Sequence, residues 1–210
     1  TLNSSLFKHH ALIGSFPQFF RNAKESFSKQ RKSFIIADHN KTLVLRKKLT
    51  VNDPIVCGIA WKSKNEKLGD YKTASLNDFL PILKLSSINF VDLQYGDTLD
   101  ERSYLQSEHE VTLTKIDDID NFNDIDGLAA LISVCDYVVT SSNVTAHIAG
   151  ALGKETYLLI PFAHGKIWYW GENEENTLWY PSIKIYRCVN LNSWSQPVEL
   201  LRNKLKKIYE

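Results

Sequence analysis

Short apolar runs alternate with stretches of helical spacing along most of this chain, beginning after the Asn-Asp-Pro turn at positions 52 to 54. Such runs are the ordinary signal of buried strands, and apolar positions recurring every three to four residues indicate helices packed on them. The pattern predicts six strands, at residues 55–61, 89–94, 111–114, 137–140, 155–161 and 183–188. It predicts helices at residues 75–85, 100–108, 124–134, 143–152 and 197–209.

Regular alternation of strands and helices is typical of right-handed βαβ units. We therefore expect an α/β fold with a doubly wound (Rossmann-like), mostly parallel six-stranded sheet that helices cover on both faces. Ligands of such sheets bind beyond the carboxyl ends of the strands, where the strand order reverses. The loops that follow the strands are therefore where functional residues are expected.

The beginning of the chain lacks this rhythm. Residues 33–37 (SFIIA) resemble a short strand, and residues 40–49 predict a basic helix. We predict that residues 1–52 are the tail of an N-terminal domain or the linker from it, and that residues 53–210 form the Rossmann-like domain. Because the chain contains no Met, Thr1 is not expected to be the natural start of the protein.

Composition narrows the class of protein. A chain of 210 residues with 43% hydrophobic content can bury a full core, and a net charge of +1 gives no electrostatic footprint for nucleic acid. No apolar run approaches the roughly 20 residues of a membrane span, and the first residues lack the plan of a signal peptide. Cys57, Cys135 and Cys188 lie in apolar surroundings without a CxxC pair, so we expect buried thiols, a reducing cytoplasmic compartment and no metal site.

The turn after the fourth predicted strand carries the strongest chemical signal. Residues 141–147 (SSNVTAH) lead from an apolar strand into a helix of small residues. The first N–H groups of a helix lack internal partners and carry the positive end of its dipole, so a phosphate is stabilised there. Asn143 and Thr145 can cap the helix or bind a ligand, and His147 follows one turn later. The alternative is an ordinary capped helix whose small residues only let it pack closely on the sheet.

Two further loops are polar where strands end. The loop after the first strand offers a hydroxyl and several cations that suit a diphosphate: Lys62, Ser63, Lys64, Asn65 and Lys72. The loop after the second strand offers Gln94, which can pair with a base edge or a ribose, and Tyr95, which can stack. A solvated lysine loop and a tight turn are the alternatives.

An aromatic stretch, residues 164–182, precedes the last strand. It contains Trp168, Trp170, Trp179 and Tyr180. Large aromatic side chains are costly to expose, so packing over the sheet edge is expected, with a sugar-stacking platform as the alternative.

These motifs, taken together, resemble the C-terminal half of a GT-B glycosyltransferase. The chain is most similar to the bacterial proteins in which such a domain follows tetratricopeptide repeats, and more distantly to heptosyltransferases and O-linked N-acetylglucosamine transferases (glycosyltransferase family 9 or 41-like). The motifs that carry the resemblance, in order along residues 54–197, are GIAWKSKN, FVDLQYGD, DIDGLAALISVCDYVVTSSNVTAHIAGALGK and WYPSIKIYR.

The resemblance implies that the domain holds a nucleotide diphosphate sugar as donor substrate. It places Asn143, Thr145, Ala146 and His147 at the diphosphate and Lys72 at the phosphates, and it matches Lys62 and Ser63 to the polar loop after the first strand and Gln94 and Tyr95 to the loop near the nucleoside. Ser142 and Val144, in the same turn as Asn143, are also expected to bind the substrate. Heptosyltransferases carry an Asp-Thr-Gly turn where this chain has Ser142-Asn143-Val144, which leaves the identity of the donor sugar open.

The implied reaction is metal-independent glycosyl transfer without a cofactor. The acceptor is a hydroxyl of a glycan, a lipid-linked sugar or a protein, and the further partner is an N-terminal repeat domain of the same polypeptide. The resemblance implies that the general base comes from the N-terminal half, although His147 is a candidate acid or base; its place at a helix N-terminus predicts a lowered pKa. A nucleotide-sugar epimerase of the same fold and a non-catalytic scaffold domain are the alternatives.

Overall fold

A computed structural model describes residues 12–50, 55–64, 69–162, 167–171, 175–191 and 193–210. The chain divides into two compact units, Thr1–Arg31 and Lys32–Glu210. The described part of the first unit contains helix α1, Pro17–Phe20, between two short 3₁₀ turns, Ile13–Ser15 and Lys24–Phe27. The compact second unit begins at Lys32, before the domain boundary predicted at residue 52. That residues 1–52 come from an N-terminal domain or its linker stays a prediction.

Within the described residues of the second unit, one parallel sheet has the strand order β2-β1-β3-β4-β5. Its strands are β1 Ile55–Ala60, β2 Ile88–Asp92, β3 Tyr137–Ser141, β4 Thr156–Ile160 and β5 Ile183–Arg187. The chain runs outward from β1 to β2 and then returns to place β3 on the other side of β1. The order therefore reverses between β1 and β3, the position at which a ligand of a doubly wound sheet is expected.

The helices of this unit follow the predicted alternation. They are α2 His39–Leu49, α3 Gly69–Lys72, α4 Leu80–Leu83, α5 Leu99–His109, α6 Ile125–Val134, α7 Val144–Ala151 and α8 Ser195–Tyr209, with a 3₁₀ turn at Leu76–Phe79 before α4. None of the helices in the described ranges is long and apolar enough to cross a membrane.

Helix starts are fixed by side chains that accept hydrogen bonds from otherwise unpaired backbone N–H groups. Asp38 caps α2, Asp124 caps α6 and Asn143 caps α7. Ser75 and Asp78 form a reciprocal capping box, which confirms the predicted helix start at Ser75. At these helix starts the capping side chain lies within three residues of the N–H group that it binds.

Two apolar clusters cover the two faces of the sheet. Alternate residues of β1 and β3 point to opposite sides, so Ile59 and Val139 pack with α4 and α8, whereas Val56 and Val138 pack with α2 and α6. This arrangement confirms a doubly wound α/β sheet. Cys57, Cys135 and Cys188 are buried free thiols, as expected, and burial raises the pKa of Cys135 to about 12.

The prediction of six strands is wrong by one. The segment predicted as a strand at residues 111–114 makes only an isolated bridge, between Thr114 and Val91. The Thr114 N–H donates to the carbonyl of Phe90, and the Thr114 carbonyl accepts from the N–H of Asp92, both at 2.8 Å. The chain leaves the sheet at the next residue, Lys115, whose ammonium lies 3.4 Å from the buried carboxylate of Asp92.

The strand-like reading of residues 33–37 is also wrong, whereas the basic helix predicted after them is confirmed as α2. The N–H groups of Phe34 and Ile35 both donate to the carbonyl of Ala151, at 2.6 and 3.2 Å. These residues therefore satisfy an orphan carbonyl at the end of α7 instead of joining the sheet.

Candidate anion site at the carboxyl edge of the sheet

The turn after β3 is fastened to the loop after β1. Asn143 Oδ1 accepts from the Ala146 N–H at 3.4 Å, and its Nδ2 donates to the Lys62 carbonyl at 3.1 Å. Ser142 Oγ accepts from Trp170 Nε1 at 2.9 Å, and Val144 is 43% exposed. Polar side chains thus hold the start of α7 at the point where the strand order reverses.

Thr145 lies in the first turn of α7 with its side chain fully buried. Its hydroxyl oxygen has no hydrogen-bond partner among the described residues. A buried hydroxyl without a partner loses the bonds that it makes to water, at a cost of about 1–3 kcal/mol. Such an atom in a helix start is suited to a ligand that supplies the missing partner.

Lys72, the last residue of α3, is only 4% exposed. Neither a hydrogen bond nor an ion pair joins its ammonium to any residue in the described ranges of the chain. Burial lowers the pKa of this ammonium. Buried charges in proteins are normally paired, so a buried ammonium with no anionic partner among the described residues is suited to an anionic ligand.

His147 lies one turn into α7, within the electrostatic reach of Lys72. Its pKa is lowered to about 4, first by burial and second by the positive charge of Lys72. The predicted lowering of the His147 pKa is confirmed, but its main cause is burial and not the position of the residue at a helix N-terminus. The imidazole is therefore neutral at pH 7.

Aromatic rings surround this imidazole. It stacks on Trp170, with ring centroids 4.8 Å apart and planes 22° apart, and its Nδ1 lies 3.2 Å from the Tyr180 hydroxyl. Trp170 is fully buried, which confirms packing for that residue, whereas Trp168 is 72% exposed and lies edge-on to Trp179. Within the aromatic stretch, Trp170 therefore packs against the start of α7, whereas Trp168 is exposed.

Lys62 and Ser63 follow β1, and the Lys62 ammonium and the Ser63 backbone N–H are both bonded within the protein. The Lys62 ammonium pairs with the carboxylate of Glu101, which also accepts from Trp61 Nε1 at 3.0 Å. The Ser63 N–H donates to Thr73 Oγ1 at 3.0 Å. Asn65 lies outside the described residues. Of the cations proposed in this loop, Lys72 is the one whose charge reaches His147.

Gln94 and Tyr95 shape the loop after β1. Gln94 is fully buried, and its Oε1 accepts from the N–H groups of Trp61 and Lys62 at 2.9 and 2.7 Å. Its Nε2 donates to the carbonyl of Tyr95 at 3.2 Å, while the Tyr95 hydroxyl accepts from the Lys64 N–H at 2.6 Å. These contacts give both residues a structural task, and their place near a nucleoside stays a prediction.

A cavity of about 390 Å³ opens beside Tyr95, at the carboxyl end of β2. Two cations, an amide and an aromatic ring line part of it: Lys64, Lys115, Asn121 and Phe122. Asn121 donates through Nδ2 to the carbonyls of Asp92 and Gln94, at 3.1 and 3.2 Å. The ring of Phe122 tilts against that of Tyr95 with centroids 6.0 Å apart.

Asp92, a buried carboxylate whose partner Lys115 lines this cavity, was not among the residues predicted from the sequence. Asp92 Oδ2 accepts from Thr98 Oγ1 at 2.5 Å and lies 3.4 Å from Lys115 Nζ and 3.5 Å from Arg102 Nε. Burial raises the pKa of Asp92, and the charge of Lys115 opposes that shift. The acidic residue inside the apolar run FVDL, followed by the polar run KIDDIDNFND, is the signal that marks this cluster.

Comparison with known proteins gives one curated relative and a structural likeness, and no protein-family model matches the chain. The chain is 30% identical over 196 residues to Protein FlbA of Caulobacter vibrioides. The aligned region covers 91% of this chain and 32% of FlbA. It thus spans about a third of the relative's length.

Two solved structures from E. coli share the fold. ADP-heptose lps heptosyltransferase II superposes with a TM-score of 0.57 at 12% identity, over 83% of this chain and 53% of that protein. Heptosyltransferase WaaC with ADP superposes with a TM-score of 0.52 at 11% identity, over 79% of this chain and 48% of WaaC. The chain therefore has a heptosyltransferase-like α/β fold that corresponds to about half of those enzymes.

Proposed function

We propose that this chain is the donor-binding half of a GT-B glycosyltransferase and holds the phosphates of a nucleotide-activated sugar at the start of α7. The observation that carries the proposal is Lys72, a buried ammonium without an anionic partner among the described residues, next to His147. The heptosyltransferase-like fold agrees with it.

A phosphate would supply the partners that the described residues do not give to Lys72 and Thr145. It would bring the anion that Lys72 needs and an acceptor for the Thr145 hydroxyl, whose oxygen is buried without a partner in the described chain. The N–H groups of the first turn of α7 add hydrogen bonds and a favourable field. The Lys72 ammonium, the Thr145 hydroxyl and the first N–H groups of α7 thus favour the same ligand chemistry.

The cavity beside Tyr95 provides room for the nucleoside. The exposed ring of Phe122, which contacts Tyr95, suits stacking on a base, and Lys64 and Lys115 supply cations at the cavity wall. In this proposal Gln94 acts indirectly, by holding the backbone of the β1 loop against the cavity.

The reaction breaks the bond between the anomeric carbon and a phosphate oxygen, which leaves with the electron pair, while the acceptor hydroxyl forms a new bond to that carbon. The acceptor proton passes to a base, which we expect in the other half of the protein. Negative charge grows on the departing phosphate as the bond breaks. Lys72, the first N–H groups of α7 and a neutral His147 would stabilise that charge most in the transition state, which is what lowers the barrier.

Binding of nucleotides to this chain tests the proposal. Thermal-shift and calorimetric titrations use ADP, UDP, GDP and CMP, because a ligand at 100 times its dissociation constant stabilises by about 2.7 kcal/mol. Lys72→Met, which keeps the apolar stem and removes the charge, is expected to abolish binding without loss of stability. Lys84→Met is the matched control, since Lys84 is an exposed lysine.

The outcomes separate the alternatives. Failure of all four nucleotides to bind contradicts the proposal and favours a non-catalytic scaffold. Binding that survives Lys72→Met removes that lysine from the site. In the complete natural protein, conversion of a nucleotide sugar without any acceptor would favour an epimerase over a transferase.

A further inference from the structure

Tyr180 lies against the imidazole that the proposed function assigns to the phosphate. Its hydroxyl is 3.2 Å from Nδ1 of His147, and the two rings meet edge to face with centroids 5.7 Å apart. On the other side, the imidazole stacks on Trp170. Two aromatic residues outside α7 therefore set the plane of this ring and the environment of one of its nitrogens.

Either group can be the donor in the contact between Tyr180 Oη and His147 Nδ1, and the tyrosine is the donor that leaves fewer protons without a partner in the protein. Burial raises the pKa of Tyr180, so the phenol stays protonated and has one proton to donate. Within the described part of the chain, its hydroxyl makes no other hydrogen bond. Donation from Oη to Nδ1 uses that proton, whereas the reverse arrangement would leave the phenolic proton without an acceptor in the protein.

A neutral imidazole that accepts at Nδ1 carries its proton at Nε2. The Nε2–H form points its donor away from Tyr180. For a residue whose task is to donate to a phosphate oxygen, this is the productive tautomer. The other tautomer would present a lone pair to the anion and repel it.

Gly150 makes room for the tyrosine. A Cβ atom at this position of α7 would lie 2.5 Å from Cγ and 2.8 Å from Cβ of Tyr180, closer than real Cβ contacts allow. Both are atoms near the backbone, so rotation of the tyrosine ring would not relieve the overlap. The absence of a side chain at Gly150 thus lets Tyr180 approach the helix one turn beyond His147.

We propose that Tyr180 is a positioning residue that fixes His147 in the Nε2–H tautomer, with Gly150 providing the space. The consequence for binding rests on the proposed function, whereas the tautomer itself does not. The signal is present in the sequence only as a tyrosine in WYPS and a glycine in a helix, far apart along the chain.

Nitrogen-15 NMR of the histidine side chains at pH 7 tests the tautomer in the full chain without ligand. The His147 signals, identified by their loss in His147→Gln, are expected to show a protonated Nε2 and an unprotonated Nδ1. In Tyr180→Phe they are expected to move toward a mixture of tautomers. Tyr186→Phe, another half-buried tyrosine, is the control and is expected to leave them unchanged.

Affinity supplies the second measurement. Tyr180→Phe is expected to weaken binding of the nucleotide found in the screen by about fivefold, with the melting temperature changed little, because one neutral hydrogen bond is lost. A protonated Nδ1 in the wild type, or a tautomer unmoved by Tyr180→Phe, overturns the inference. A chain that shows the expected tautomer but binds no nucleotide contradicts only the proposed function.

Discussion

The imidazole of His147 lies flat on the indole of Trp170, with centroids 4.8 Å apart, while the indole nitrogen donates to Ser142. The loop after β4 therefore holds both the turn and the first helical turn that follow β3. This contact joins residues that are far apart in sequence, and it shields part of the imidazole from water.

The first prediction concerns the dependence of stability on pH. The pKa of His147 is about 4 in the folded chain, below the ordinary value of 6.5. Between these values the unfolded chain binds the proton and the folded chain does not, so this group destabilises the fold as pH falls from about 6.5 to about 4. The slope is at most about 1.4 kcal/mol per pH unit.

Urea unfolding across this pH window measures the effect. His147→Gln is expected to reduce the pH dependence relative to wild type, since carboxylates and the other histidines titrate in both proteins alike. Equal pH profiles for the two proteins would show that folding does not shift the pKa of His147, which contradicts the prediction. Lys72 is the cation that contributes to the shift, so Lys72→Met is expected to raise the pKa of His147.

The second prediction concerns the buried carboxylate. Asp92→Asn is expected to destabilise the chain by about 3 kcal/mol, because Lys115 and Arg102 lose the counter-charge to which they are held. The control is Asp118→Asn, which removes an exposed partner of Lys48 and is expected to leave the urea midpoint unchanged. Similar urea midpoints for the two variants would show that the ion pairs of Asp92 with Lys115 and Arg102 do not stabilise the fold.

The third prediction separates support from recognition at Gln94. Gln94→Leu leaves the backbone N–H groups of Trp61 and Lys62 without an acceptor, so a loss of about 2 kcal/mol in unfolding free energy is expected. Gln106→Leu is the exposed control. A variant as stable as wild type that binds nucleotides poorly would instead make Gln94 a direct ligand contact.

The fourth prediction reverses an intrinsic preference. Alanine in a helix is favoured over glycine by about 1 kcal/mol, yet Gly150→Ala is expected to destabilise by about 1–3 kcal/mol. The new methyl group would overlap Tyr180 and Ile183. Gly14→Ala, with no other atom within 4 Å of the added carbon, is expected to have no such effect. Calorimetric melting of the two variants checks the sign.

Much of the fold follows from local pattern. Residues 55–60 form a strand because a continuous apolar run is buried on both faces, and α6 begins at Ile125 because Asp124 caps it. The pattern fails where pairing depends on distant partners. Residues 111–114 have the apolar content of a strand, but only Thr114 bonds to β2 before Lys115 turns to Asp92.

The site divides in the same way. The start of α7 and its cap at Asn143 are local features, and the sequence predicts them. Lys62, proposed for the phosphates, pairs with Glu101, whose position depends on how α5 packs. The carboxylate in the apolar run at Asp92 is visible in the sequence, but its ion pair with Lys115 is not, and Tyr180 meets His147 from thirty-three positions away.

By itself, then, the amino-acid order determined the alternation of strands and helices, the parallel sheet that it implies, and the polar turn that opens α7. Hydrophobic periodicity and helix capping depend on residues a few positions apart, so the local sequence is enough to predict them. Only the tertiary structure decided which cation near that turn has no anionic partner among the described residues, which histidine nitrogen faces a hydroxyl, and how deeply both are buried. Charge pairing, tautomer and desolvation depend on atoms that meet only when the sheet is assembled.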